Sequence, residues 1–400
     1  MASILFLPLL LYICYLSFAS AQNKTNHVSN DLFNSLEELS RLVDISYCVG
    51  TTGVQQPFQC LSRCDEFPDL ELVTTWNTGL LLSDSCGYMA LSHTPSAKQI
   101  ILAFRGTYSI TNTIIDLSAY PQAYVPYPDP EENTTTTIPI PTGQHCENCT
   151  VHAGFMLSWL QTRTTILPQL SLLHKKHPDY AVTLVGHSLG GAVAALAGLE
   201  MRLKGWDATV TTFGEPMVGN EAFAAFLDEQ FGLGDGIAIP PLEGGMRFRR
   251  VTHVGDPVPM LPLAEWGYRP HAGEVFITRE ELPPRREDVV HCVGREDPGC
   301  IAGEGNEGVL VKLYRDLNVP VGLVGSSSEG CRSRGGGMSE EQAVLERKCS
   351  DLPGREDRLS PLRWDWSLIP ARYRIWELFY AHRDYFWRIG LCIPGGDPTG

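Results

Sequence analysis

The chain has 400 residues, a net charge of −15 at neutral pH and a sequence pI near 5.2. That acidity excludes a nucleic-acid binder, which needs a basic face, and disfavours anionic membranes while leaving neutral lipid surfaces open. A hydrophobic content of 43% indicates a packed core rather than a disordered chain, and twelve cysteines fit an oxidising compartment.

The N-terminus agrees with export. Ser3 to Ala19 is apolar and uncharged, and Ala19-Ser20-Ala21 is an A-x-A site, so residues 1–21 read as a cleaved signal peptide. Residues 22–400 then form one domain. No later stretch is long and apolar enough to span a bilayer. Asn23, Asn133 and Asn148 begin glycosylation sequons, which have meaning on a secretory route. The expected location is secreted and extracellular.

Asp31 to Asp44 reads as an exposed helix with Leu32, Phe33, Leu36, Leu39 and Leu42 at helical spacing and Asn30 as its cap. Cys60 and Cys64 lie close enough to pin a short turn. From Glu71 to Gly106 the pattern is that of strands, with residues 86–93 and 99–104 joined by the hairpin-type connection 94–98. Arg105-Gly106-Thr107 follows, a place where a hydroxyl and an N–H can turn into a site. Ser109 to Leu117 is amphipathic, with Ile110, Ile114 and Leu117 on one helical face; it is either a surface helix over the core or a flap over an apolar cleft. Residues 118–145 form a long Pro, Tyr and Thr-rich loop, closed by Cys146-Glu-Asn-Cys149. No zinc spacing accompanies that C-x-x-C, so it reads as a small disulfide.

His152 to His174 is helical, burying Phe155, Trp159, Ile166 and Leu170. Next comes the unit on which the chain is organised: a buried strand Ala181 to Val185, the pentapeptide Gly186-His187-Ser188-Leu189-Gly190, and a helix from Leu189 to Lys204. A serine on a sharp strand-to-helix turn presents its Oγ at the carboxyl edge of a sheet. The flanking glycines avoid collisions that any Cβ would make there, and the helix aims its first amides at a developing oxyanion. Thr209 to Phe213 and Met246 to Val254 are further strands, with a helix Glu221 to Gln230 between them. Strands alternating with helices around Ser188 predict a mostly parallel central sheet flanked by helices, with sites at the strand ends. Residues 293–366, rich in Gly, Ser, Arg and Asp, read as a loop-rich C-terminal insertion, and order returns over Pro370 to Cys392.

A serine hydroxyl needs a base to become a useful nucleophile. In a strand–turn–helix setting of this kind the acid and then the histidine follow in the chain. Asp256 sits directly after a strand in a Gly-Asp-Pro turn; Asp207, Asp228 and Asp235 occupy helix ends or loops. His271, His291 and His382 are the downstream histidines, the last amid aromatic residues.

Taken together, these segments resemble the fungal class 3 lipases, the filamentous-fungus triacylglycerol lipases and their feruloyl esterase relatives, over about residues 45–290 and 370–394. The resemblance rests on Phe104-Arg-Gly-Thr107, His152-Ala-Gly-Phe155, Gly186-His-Ser-Leu-Gly-Gly191, Phe213-Gly-Glu-Pro-Met-Val-Gly-Asn220, Thr252-His-Val-Gly-Asp256-Pro-Val-Pro-Met-Leu-Pro262, and Ala381-His382 with Tyr385, Phe386, Gly390 and Cys392. It implies an α/β-hydrolase fold with a lid segment. It implies Ser188 as nucleophile, Asp256 as orienting acid, His382 as general base and acid, and Thr107 with the Leu189 amide as the oxyanion hole. It further implies the disulfides Cys48–Cys392, Cys60–Cys64 and Cys146–Cys149. Of the other cysteines, Cys292–Cys300 and Cys331–Cys349 are expected to pair, leaving Cys86 as a buried thiol.

Two departures stand out: Thr113 where the lid carries tryptophan, and an insertion before Pro370 longer than the family needs; Met217 also stands where arginine is usual. The apolar residues Ile110, Ile114, Ile115 and Leu117 favour a lipid ester at an oil–water interface, from tri-, di- or monoacylglycerol. The alternative is a feruloyl-type esterase acting on plant cell-wall esters. No metal, cofactor or nucleic-acid partner is expected, and a monomer is.

Overall fold

The computed structural model describes residues 26–79, 85–107, 117, 124–126 (backbone only), 146–233, 246–303 and 380–394. The signal segment, Asn23, Asn133, Ile110, Ile114, Ile115, Cys331, Cys349 and residues 304–366 of the expected insertion lie outside them.

Among the described residues the framework is an eight-stranded sheet. Its strands are β1 (Leu70–Asn77), β2 (Cys86–Ser92), β3 (Gln99–Arg105), β6 (Ala181–His187), β7 (Ala208–Phe213), β9 (Phe248–His253), β11 (Glu274–Ile277) and β12 (Val289–His291), in that spatial order. β1, β2 and β3 pair antiparallel, β3 through β11 run parallel, and β12 closes the far edge antiparallel. A smaller sheet holds β4 (Tyr124–Pro126), β5 (Thr150–His152), β8 (Gly219–Asn220) and β10 (Tyr268–Arg269). β4 lies inside the stretch that reads as loop in the sequence; its three residues are too few to show an alternating pattern, and pairing with β5 defines them.

The period of two along each buried strand sorts its side chains onto opposite faces. In β3, Ile100, Leu102 and Phe104 join one core cluster, while Ile101 and Ala103 join the other. The first cluster is covered by α2 (Ala153–Lys176), α3 (Leu189–Leu203) and α4 (Glu221–Phe231). The second is covered by α1 (Asn30–Ile45). α1 is therefore not the exposed helix its polar residues suggest. Leu32, Leu36, Leu39, Leu42, Val43 and Ile45 are all buried, and only the opposite face meets solvent. Its cap is Ser29, whose hydroxyl accepts from the Leu32 N–H at 3.1 Å, one residue before the Asn30 expected in that role.

Disulfides join Cys48 to Cys392, Cys60 to Cys64, Cys146 to Cys149 and Cys292 to Cys300, and Cys86 is buried in no disulfide. The first ties the end of α1 to the C-terminal segment across 344 positions. Among the described residues no helix is long and apolar enough to cross a membrane.

Candidate active site

β6 delivers Ser188 at its carboxyl end. The serine has φ 57° and ψ −130°, a left-handed conformation that only a tight turn imposes on a side-chain-bearing residue. The glycines either side are sterically required. A Cβ on Gly186 would stand 2.3 Å from the Gly190 carbonyl oxygen, and one on Gly190 would stand 2.4 Å from that of Phe104. α3 starts at the next residue, Leu189, and its first amides lack intrahelical acceptors.

Asp256 follows β9, three residues beyond His253, and is fully buried. Its Oδ1 accepts from the Val258 N–H at 2.9 Å, and its Oδ2 accepts from the Tyr385 hydroxyl at 2.5 Å. Both carboxylate oxygens lie 3.0 Å from His382 Nδ1. A carboxylate accepts only, so Nδ1 carries the hydrogen and Nε2 presents its lone pair. Burial, first, and the neighbouring Asp256 charge hold the Tyr385 phenol well above its usual pKa, which keeps it a donor.

The short C-terminal segment that carries His382 has no sheet of its own, so other elements position it. Gly390 N–H donates to Asp44 Oδ1 at 2.9 Å, Trp387 Nε1 donates to Glu37 at 3.1 Å, and Phe386 meets Phe33 edge-on at 5.2 Å. All three partners lie on α1, and the Cys48–Cys392 bond closes the same junction.

His187 links the elbow to this segment. Its Nε2 lies 2.8 Å from the His382 carbonyl, and its Nδ1 lies 2.6 Å from the Tyr47 hydroxyl. Burial, and then the neighbouring His382, push the His187 pKa well below the ordinary histidine value. The ring is therefore neutral. The carbonyl can only accept, so Nε2 donates and Nδ1 accepts from Tyr47. The loop bearing Thr107 presses on the same turn: a Cβ on Gly106 would lie 2.5 Å from the Tyr47 oxygen and 2.9 Å from the Ser188 Cβ. Thr107 itself is half-buried at the end of that loop.

Two atoms in this cluster are left over. Ser188 Oγ and His382 Nε2 are both buried without a hydrogen-bond partner among the described residues. Buried polar groups are rarely left so, and here they are a proton donor and a lone pair on adjoining segments. The rings of His187 and His382 stand 4.7 Å apart.

The other candidates are engaged elsewhere. Asp207 is exposed and pairs with Arg247 and Arg202. Asp228 accepts from Arg295 and from the Ala272 N–H. Asp235 lies outside the described residues. His271 is buried between the Ala272 carbonyl, 2.7 Å from Nδ1, and Glu215, 3.0 Å from Nε2. His291 lies in the edge strand β12. Leu117 is buried in the core cluster that packs under α2 and α3, and Asn148 is exposed with its carbonyl accepting from Asn220. Glu274, Cys292 and Cys300 bring metal-type donors together. The two sulfurs are bonded to each other, and Glu274 is held by Arg250 and Thr252, so no ligand set is left there. Sequence reasoning passed over Tyr47 and the role of His187; the only local signal was the position of His187 inside the pentapeptide.

A parallel sheet with a serine elbow at a strand end and a buried Asp–His pair beside it defines a serine hydrolase of the α/β-hydrolase class. The model of the family described as lipase (class 3) matches residues 101–266. "Lipase A" of Sodiomyces alcalophilus is 49% identical over 98% of this chain and 92% of its own length, and "Secreted mono- and diacylglycerol lipase 2" of Gibberella zeae is 48% identical over 93% and 85%. The crystallised LIP2 lipase of Yarrowia lipolytica superposes with a TM-score of 0.63 at 34% identity, covering 70% of this chain and 91% of that one. The chain belongs to the class 3 lipase family and is a carboxylic ester hydrolase acting on lipid esters. These relatives bear the names of lipases, which corrects the feruloyl-esterase alternative.

Proposed function

We propose that hydrolysis proceeds through an acyl-enzyme on Ser188, with His382 as general base and acid and Asp256 orienting it. His382 Nε2 takes the hydroxyl proton as Oγ bonds to the ester carbonyl carbon. The same proton passes to the departing alcohol as the C–O bond breaks. Water, deprotonated by the same nitrogen, then releases the carboxylic acid and restores Ser188. The Leu189 amide and Thr107 stabilise the oxyanion, each contributing about 3 kcal/mol. The observation that carries this reading is the coincidence of two orphaned buried atoms, Ser188 Oγ and His382 Nε2, beside a fully bonded Asp256.

The substrates are mono- and diacylglycerols, on the strength of the Gibberella zeae relative's printed name. The protein is secreted as one domain and a monomer after loss of residues 1–21, is glycosylated at its sequons, and admits substrate beneath an apolar flap formed by Ile110, Ile114 and Ile115. Ser188 is fully buried, so substrate entry requires some displacement. The test compares emulsified diolein, monoolein and triolein under equal surface area, with wild type and S188A. Partial glycerides should be cut fastest, and S188A should bind no fluorescent alkyl phosphonate. Faster turnover of triolein overturns the substrate class; phosphonate labelling of S188A overturns the nucleophile.

A further inference from the structure

The opposite end of the sheet carries a cavity. It has a volume of about 520 Å³ and opens where Gln99, Ala181 and Thr209 begin their strands. β6 spans seven residues between Ala181 and the elbow, so the cavity lies roughly 20 Å from Ser188 at the usual rise per residue. α1 and residues 66–70 form its far side.

Of its two arginines, one is paired and one is not. Arg41 donates to Glu37 at 2.7 Å and to Glu66 at 2.9 Å, and Glu66 takes a second bond from Arg63 at 3.0 Å. Asp69 accepts from the Ser96 hydroxyl at 2.9 Å. Glu38 is exposed at the rim. Arg249 also lines the cavity, but its Nε is buried with no hydrogen-bond partner, and its guanidinium joins no ion pair among the described residues. Burial pulls its pKa down, with no neighbouring carboxylate to offset this. Two arginines near it in the chain are both paired, Arg247 with Asp207 and, within β9, Arg250 with Glu274. A buried N–H without an acceptor is costly, and an anion in the adjoining cavity would supply one.

We infer that this cavity binds a monocarboxylate with a short aliphatic tail, its carboxylate paired with Arg249. The guanidinium's planar fork matches a carboxylate in two parallel bonds. Glu38, Glu66 and Asp69 around the mouth disfavour a dianion such as phosphate. Leu39, Leu42 and Ile101 supply an apolar wall for a tail. Monocarboxylates are also what ester hydrolysis releases, but the binding argument does not depend on the Ser188 reading.

The test is calorimetric titration of the whole chain with sodium butyrate at constant ionic strength, after phosphonate treatment to keep butyrate out of the ester site. Butyramide and inorganic phosphate serve as comparison ligands, and R249Q and A181F as variants. Saturable millimolar binding of butyrate is expected, weakened about ten-fold or more by R249Q, which removes the charge, and by A181F, which fills the mouth. Butyramide and phosphate should bind at least ten-fold more weakly than butyrate. Ester turnover by untreated R249Q should stay within about two-fold of wild type. Absence of saturable binding, equal binding by wild type and both variants, or preference for phosphate overturns the inference. If R249Q does not fold, A181F decides. Failure of the phosphonate to stop turnover counts against the nucleophile assignment alone.

Discussion

Among the described residues there are two buried imidazole–carboxylate pairs. His382 meets Asp256 at 3.0 Å, and His271 meets Glu215 at 3.0 Å. Distance and burial do not separate them. The other ring nitrogen does. His271 Nδ1 is bound to the Ala272 carbonyl at 2.7 Å, so both of its nitrogens are engaged in holding the strand connection before β11. His382 Nε2 has no partner, and neither has Ser188 Oγ. A pair whose imidazole is bonded at both nitrogens is scaffold; a pair with one imidazole lone pair to spare, next to a lone hydroxyl, is equipped to move a proton.

Removing each histidine in turn is the sharpest way to break that contrast. H382A should lower kcat per folded molecule on a soluble p-nitrophenyl ester by ~10⁴-fold or more, leaving residual catalysis from the oxyanion donors. H271A should do the reverse. It strands the Glu215 carboxylate in the core at a cost of about 3–5 kcal/mol, readable in urea melts, while kcat per folded molecule stays within a few-fold. Equal losses of kcat in both variants would remove the distinction drawn between the pairs. D256N should follow H382A, with kcat down by roughly 10⁴-fold because the imidazole loses its enforced tautomer.

How far each pair was legible in the sequence differs for a physical reason. Ser188 and Asp256 announce themselves locally, because a strand ending in a glycine turn is a local pattern and places its side chain at the sheet edge. The elbow glycines 186 and 190 are demanded by backbone approaches of 2.3 and 2.4 Å. His382 stands apart from His271 and His291 by its aromatic surroundings, against their strand-like segments, and then by the family resemblance. Nothing near position 382 encodes that its segment will be held by α1, through Asp44, Glu37 and Cys48, from the other end of the chain. The Tyr47–His187 bond spans 140 positions and joins two residues without any shared spacing rule. α1 misled in the other direction: polar residues on one face gave an exposed reading, while the apolar stripe was deciding its burial.

The α1 junction gives a pH test of the same contrast, since Asp44 is a buried carboxylate that holds structure rather than chemistry. Burial raises its pKa from 3.8 to about 6, against the opposing bonds from Gly390 N–H and the Ser62 hydroxyl. A pKa raised on folding means the folded state holds the proton more tightly. The associated stability is present in full below pH 3.8 and is lost as pH rises through about 6. The whole swing is ~3 kcal/mol. Urea melts of wild type and D44N between pH 3.5 and 7 (a range set by those two values) should therefore differ in slope, with wild type losing stability relative to D44N as pH rises. Parallel curves would show that Asp44 is solvated or compensated.

The smallest expected effect concerns Tyr385, and it asks whether support of Asp256 is felt at the reacting atoms. The phenol donates to Oδ2 at 2.5 Å, opposite the Val258 N–H on Oδ1, so the carboxylate is fixed from two sides while it faces His382. Phenylalanine keeps the ring, which packs against Phe213 at 5.6 Å, and deletes only the donor. A lost hydrogen bond to a charged group is worth about 1.5–3 kcal/mol, part of which the carboxylate recovers by moving toward His382. Y385F should then lower kcat about five- to ten-fold with KM nearly unchanged, since the carboxylate touches no substrate. The neighbouring F386L is the control: Phe386 is buried against Phe33 and makes no bond to Asp256. F386L should depress the melting temperature by several degrees with kcat per folded molecule close to wild type. A kcat loss in F386L as large as in Y385F would mean that the C-terminal segment acts through its overall packing, and that the phenol has no separate part in holding the acid.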